Sequence, residues 1–198
     1  MAANQRSRFG LIILGLLVIL AIYFGVTYNR LVKQDENVKL TWGDLQNSYQ
    51  RRLDLTPNLV AVVKASSDYE KQTLEQLAAA RAKAMQVSVN TTAVNPENYN
   101  AQEQAQGEVA TSINRVIGVI EKYPDLQTTK SFVYLQSQLE GTERRIKVAR
   151  NDFNLAVADY NKKVRGFPAS IAASIFGFRS KEGFKSDVGS ENAPEVKF

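Results

Sequence analysis

The sequence predicts an all-α protein: one N-terminal transmembrane helix that continues into an antiparallel, up-down-up-down four-helix bundle of long helices. Three observations carry this. Residues from Phe9 to Val26 contain no charge, no Pro and no Asn or Gln, a run long enough at about 1.5 Å per residue to cross a hydrocarbon core. Apolar residues in the remainder recur at spacings of three and four, the period of one helix face, and no stretch alternates as a strand would. Long amphipathic helices joined by short breaks pack antiparallel to their neighbours.

The chain therefore divides into a short N-terminal tail (1–8), a transmembrane helix (9–28), a helical bundle domain (29–178) and a polar, Gly- and Pro-punctuated tail (179–198) expected to be disordered. Arg6 and Arg8 offer the positive flank of a cleavable leader, but the apolar run exceeds the usual length and no Ala-x-Ala site follows, so an uncleaved anchor is expected. Arg30, Lys33 and Lys39 nearly balance the two arginines. The crowding of those arginines into so short a tail places it in the cytoplasm and the body outside.

Element by element, Leu31, Val38, Trp42, Leu45 and Tyr49 mark the first soluble helix, which no breaker separates from the span. At Asp54-Leu55-Thr56-Pro57 a capping residue precedes a proline, so the chain is expected to turn a sharp corner and start a second helix, with Leu55 stapled onto Val60. That helix runs through Leu59, Val63, Leu74 and Leu77 to about Val87, and residues 88–95 form a loop. Asn95-Pro96-Glu97 opens a third helix, through Val109, Ile113, Val116 and Ile120, which Pro124 stops. The fourth carries Phe132, Leu135, Leu139, Thr142, Ile146, Ala149, Phe153, Ala156 and Tyr160 in strict three-four spacing and ends at Phe167-Pro168. Asp35 with Lys39, Glu140 with Arg144, Glu143 with Lys147 and Asp159 with Lys163 stand four apart, acid first, as on a solvated face.

The chain resembles the LemA family of bacterial membrane-anchored helical proteins. The resemblance rests on Tyr28-Asn29, Trp42, the block from Arg51 to Val60, Val63-Lys64, Glu70, Leu74 and Ala80-Arg81. It continues with Tyr123-Pro124, Leu135-Gln136, Thr142-Glu143-Arg144-Arg145-Ile146, Ala149-Arg150, Phe153-Asn154, Tyr160-Asn161 and Phe167-Pro168, and stops before the tail beyond Phe184. It implies an inner-membrane anchor and a helical domain, and brings no enzymatic activity or catalytic residue.

The residues agree with that. A chain of 198 residues with no His and no Cys lacks histidine triads, His-Glu-x-x-His metal sites, thiol nucleophiles and the Glu-x-x-His pairs of di-iron bundles. No phosphate-cradling glycine motif is present, no cofactor or small-molecule substrate is implied, and acidic residues interspersed among the basic ones argue against a nucleic-acid partner. Three sets of residues remain. Arg51, Arg52, Asp54 and Asn58 form either a surface for an anionic partner or an intramolecular Arg–Asp network that holds the corner. The box aromatic-Asn-x-x-Val occurs three times, so Asn29, Asn154 and Asn161 either are solvated or pair across the bundle to fix its register. Ile171, Ile175, Phe176 and Phe178, flanked by Lys162, Lys163, Arg165, Arg179, Lys181 and Lys185, suit a membrane interface, the open end of the bundle or a neighbouring subunit. The function expected is a non-enzymatic, membrane-tethered helical scaffold that binds proteins or itself. A lipid-engaging or membrane-shaping protein using residues 167–178 is the alternative, and a cryptic enzyme built on Glu140 with Glu143 or Lys64 with Ser67 is a third.

Overall fold

The computed structural model describes residues 2–65, 71–90 and 95–184. They form six helices: α1 (Ala2–Lys64), α2 (Lys71–Asn90), α3 (Pro96–Ile120), α4 (Pro124–Gln127), α5 (Lys130–Arg165) and α6 (Ala169–Ile175), with no strand among the described residues. Four of these are long. The two extra ones are a single turn at Pro124 and a seven-residue helix after Pro168, both too short to be read from periodicity.

The apolar run lies inside α1, which no break interrupts. This is the one helix among the described residues long and apolar enough to cross a membrane, and its side chains from Phe9 to Ile22 are exposed.

The expected corner at Asp54-Leu55-Thr56-Pro57 is absent, because α1 continues through Pro57 to Lys64. A proline inside a helix has no N–H for the carbonyl four residues back and normally leaves it orphaned. Here that carbonyl belongs to buried Leu53, and the Nε–H of Arg81 donates to it at 3.0 Å. Thr56 does not cap either; its hydroxyl donates to the Arg52 carbonyl one turn back, at 3.1 Å. Leu55 is buried in the core.

The start of α3 follows the expectation closely. Asn95 is extended, its Oδ1 accepts from the Asn98 N–H at 2.8 Å, Pro96 takes the first helical position and Glu97 the first turn. In α5 every residue of the three-four stripe from Phe132 to Val164 is buried.

By contacts the chain divides into two compact units, one of Met1–Leu40 with Leu155–Lys181, the other of Thr41–Asn154 with Glu182–Phe198, of which 182–184 are described. The second unit holds a core that includes Leu53, Leu59, Leu77, Val109, Ile120, Phe132 and Leu139. Within it α2 packs on α3, with Lys83 paired to Glu108 at 2.6 Å and Arg115 bonded to Gln76 at 3.2 Å. As α2 ascends from residue 76 to 83, its partners in α3 descend from 115 to 108, so these two helices are antiparallel.

The tail expected to be disordered from residue 179 is fixed in its described part, 179–184, by side chains of α5. The remainder of that expectation, 185–198, lies outside the described residues.

Candidate functional site

In the first unit, α6 ends in a geometry that aims two aromatic rings the same way. Gly177 takes φ +78°, the Phe178 N–H donates to the Ala173 carbonyl at 2.9 Å, and the Gly177 N–H donates to that of Ser174 at 3.4 Å. These are the two bonds of a Schellman stop, for which a left-handed residue is required. The chain reverses direction there, and Phe176 and Phe178 both meet Tyr28, with ring centroids 5.0 and 5.9 Å away. Phe176 also lies edge-on to Phe24 at 6.2 Å. The segment after Phe167 thus sits against the end of the apolar run. It buries Ala172 and Ala173 while Phe167, Ile171 and Ile175 stay exposed, Phe167 at 85%. Basic residues stand close by in the chain: Lys162, Lys163 and Arg165 fill the last turn of α5, and Arg30 and Arg179 are exposed.

Below the patch a polar seam closes the same unit. Tyr160 donates its hydroxyl to the Arg179 carbonyl at 2.9 Å, and burial, with the Asp35 charge, pushes that phenol above its ordinary range. Asn161 clamps Lys181 with both ends of its amide: Oδ1 accepts the Lys181 N–H at 2.8 Å and Nδ2 donates to the Lys181 carbonyl at 2.7 Å. The Lys181 ammonium reaches Asp35 at 3.0 Å and lies over the Tyr160 ring at 5.2 Å. Burial alone would raise Asp35, but its hydrogen bonds from Lys181 and Lys39 and their charges outweigh that, leaving it below the usual carboxylate range. Lys39 is raised to about 12 by its bonds to Glu36 and Asp35.

The second unit contains the residues of the expected corner. Arg52 is buried, and its guanidinium makes a two-point bond to Glu143, at 2.7 and 2.5 Å, and donates to the carbonyl and Oε1 of Gln106 at 3.0 and 3.2 Å. This planar fork suits arginine and not lysine. Neither earlier reading of the block survives in full: Arg52 is no surface group, and its acid is Glu143 in α5 rather than Asp54, which accepts from Gln50 at 2.7 Å. Arg51 is exposed and donates to Gln138 at 3.3 Å, and Asn58 is exposed. Glu143 had the spacing of a solvated pair with Lys147; nothing local in the sequence reveals its distant partner. The Arg52 network lines an open cleft of about 540 Å³ that also holds Tyr49, Lys147 and Arg150. Burial raises the Tyr49 phenol to about 12.

The asparagine boxes carry a different job from pairing across helices. Asn154, in the second unit, repeats what Asn161 does in the first: Oδ1 accepts the Phe184 N–H at 2.8 Å and Nδ2 donates to the Phe184 carbonyl at 3.3 Å. Both amides are committed to backbone, so Asn154 and Asn161 do not bond each other, and Asn29 is exposed. Phe184 enters a cluster of three rings, with centroids at 5.4 Å from Phe153, 5.7 Å from Tyr99 and 6.1 Å from Trp42. Phe184 itself went unnoticed in the sequence, since it stands alone in a polar, aperiodic stretch.

Magnetosome protein MamQ 2 of Paramagnetospirillum magneticum is 31% identical over 81 residues, covering 41% of this chain and 30% of the relative. Magnetosome protein MamQ of Magnetospirillum gryphiswaldense is 30% identical over 80 residues, covering 40% of this chain and 29% of the relative. The chain thus spans less than a third of the length of these curated relatives. A family model described as LemA family matches residues 41–198, starting past Tyr28-Asn29 and running through the tail beyond Phe184, where the resemblance read from the residues stopped. With most of its length matched, the chain belongs to the LemA family.

Proposed function

We propose that this is a single-pass protein of the bacterial inner membrane, held by residues 9–28. Its helical part is a non-catalytic scaffold that binds proteins or a second copy of itself, and residues 167–178 rest on the lipid interface. The observation that carries this reading is the seating of Phe176 and Phe178 on Phe24 and Tyr28, which puts exposed Phe167, Ile171 and Ile175 beside the end of the apolar run. Aromatic rings at the headgroup level, apolar side chains below and basic residues around them are the composition of an interfacial segment.

The scaffold is proposed to be an up-down-up-down bundle of α1, α2, α3 and α5. Contacts inside the second unit support it. Trp42 meets Tyr99 and Arg52 meets Gln106, so α1 and α3 ascend together; Trp42 meets Phe153 and Arg52 meets Glu143, so α5 descends. The soluble part is proposed to lie outside the cytoplasm, a reading supported by the two arginines of the short tail and tested directly by reporter fusions after Phe198.

The absence of cysteine makes a direct test of the interface simple. Single-Cys variants at Ile171, Ile175 and exposed Tyr134 of the full chain, spin-labelled and reconstituted in anionic vesicles, report depth through collision with oxygen or a water-soluble nickel chelate. Labels at 171 and 175 are expected to favour oxygen and the label at 134 nickel. Equal nickel access at all three positions would refute the interfacial placement.

A further inference from the structure

Phe184 is held as a bound ligand is held. Its own segment contributes no helix or strand hydrogen bonds, and the residue is fixed by two kinds of contact from the rest of the second unit. Asn154 presents a side-chain amide that pairs with both polar groups of the Phe184 backbone, as a neighbouring strand would. Trp42, Tyr99 and Phe153 receive the ring, and the Arg150 guanidinium lies over it at 4.9 Å. The backbone pairing is indifferent to sequence, whereas the ring contacts demand an aromatic side chain. The receptacle also leaves the indole N–H of Trp42 and the hydroxyl of Tyr99 buried with no hydrogen-bond partner among the described residues, although the two residues are only 2% and 1% exposed. A core built for stability alone satisfies such groups.

We propose that Trp42, Tyr99, Arg150, Phe153 and Asn154 form a peptide receptacle for an extended segment carrying one aromatic residue. Its exchangeable occupant is the Phe184 segment of a second copy of this chain. The bound segment shows its own complementarity, so the same residues from a second copy make the same contacts, and no helix or strand has to unwind for the exchange. Confinement of copies to one membrane raises their effective concentration for such an exchange. This deepens the self-association in the reading above and rests on it.

Trp42 is the only tryptophan in the chain, so its fluorescence reports the receptacle alone. An acceptor chain, Phe184→Ala, is expected to emit at longer wavelength and to be quenched more by acrylamide than the parent. A donor chain, Trp42→Phe, is silent but carries an intact tail. Co-reconstituting donor and acceptor in one vesicle should return the acceptor emission and quenching toward the parent values, and a donor that also carries Phe184→Ala should not. Where circular dichroism shows Phe184→Ala to have lost its helices, Phe184→Leu, which removes the ring but keeps an apolar side chain and leaves the receptacle intact, serves as acceptor. A synthetic peptide of residues 178–186 is the companion probe. Recovery with the peptide but not with the donor overturns the second copy as occupant, and recovery with neither overturns the receptacle. Cross-linking through a single cysteine at Tyr134 reads association separately: chains that cross-link without restoring Trp42 refute the exchange alone, and chains that do not cross-link refute self-association with it.

Discussion

Replacing Arg81 with Met tests why the first helix passes through a proline. Arg81 donates at 3.0 Å to the Leu53 carbonyl, the acceptor that Pro57 cannot serve. Leu53 is fully buried, so water does not substitute when the guanidinium is removed. A hydrogen bond from a charged donor contributes about 1.5 to 3 kcal/mol, and the orphaned carbonyl adds to the loss. For a chain of this size that corresponds to a melting temperature lower by about 3 to 12 °C, read by far-UV circular dichroism of the full chain in detergent. Met keeps the length and apolar stem, and such a substitution elsewhere on a helix surface changes stability by under about 0.5 kcal/mol. The decisive arm is Pro57→Ala, which restores an N–H to the same carbonyl. In that background Arg81→Met should cost only about 0.5 kcal/mol, because the carbonyl is already satisfied. An equal cost in both backgrounds, with a coupling below about 0.5 kcal/mol, would show that Arg81 acts independently of the proline and would refute the explanation.

Three further outcomes follow from the second unit. Glu143→Ala leaves buried Arg52 with Gln106 as its hydrogen-bond partner and the Tyr49 ring beside it, and should cost about 2 to 4 kcal/mol in chemical denaturation, somewhat less than a fully buried pair because Glu143 is half exposed. A neutral result there would mean that Arg52 is stabilised by Gln106 and packing alone. Tyr49, raised to about 12 by burial, stays protonated in the fold while the unfolded chain ionises above its ordinary value of 10. Stability from this group is therefore present below about pH 10 and falls by about 2 to 3 kcal/mol as pH rises to 12; Tyr49→Phe should flatten that part of the pH profile. Phe153→Ala empties the ring cluster around Trp42 and should cost about 3 to 5 kcal/mol, whereas a loss under about 0.5 kcal/mol would place Phe153 outside the core.

The helical character of this chain was written locally. Spacing of three and four along α5 was sufficient to name its buried stripe from Phe132 to Tyr160, because a helix repeats every 3.6 residues whatever it packs against. Asn95-Pro96-Glu97 marked the start of α3 for a similar reason, since a cap is a contact between residues three apart. The apolar run and the exclusion of histidine and thiol chemistry needed only composition. Tertiary structure decided the rest. Pro57 carries the local signature of a helix start, and only Arg81, distant in sequence, makes it an interior residue. The box Phe153-Asn154 announced a role for the asparagine but not its object, because one amide serves equally well against another side chain or against a backbone group. Its partner, Phe184, stands in a stretch whose composition reads as disordered, and the described part of that stretch is ordered by contacts with side chains of distant helices rather than by any helix or strand of its own. Glu143 reads as a solvated acid until Arg52 arrives from another helix. Periodicity and caps are contacts over one turn and survive translation into sequence patterns, whereas a hydrogen bond between residues dozens of positions apart leaves no periodic trace in either segment.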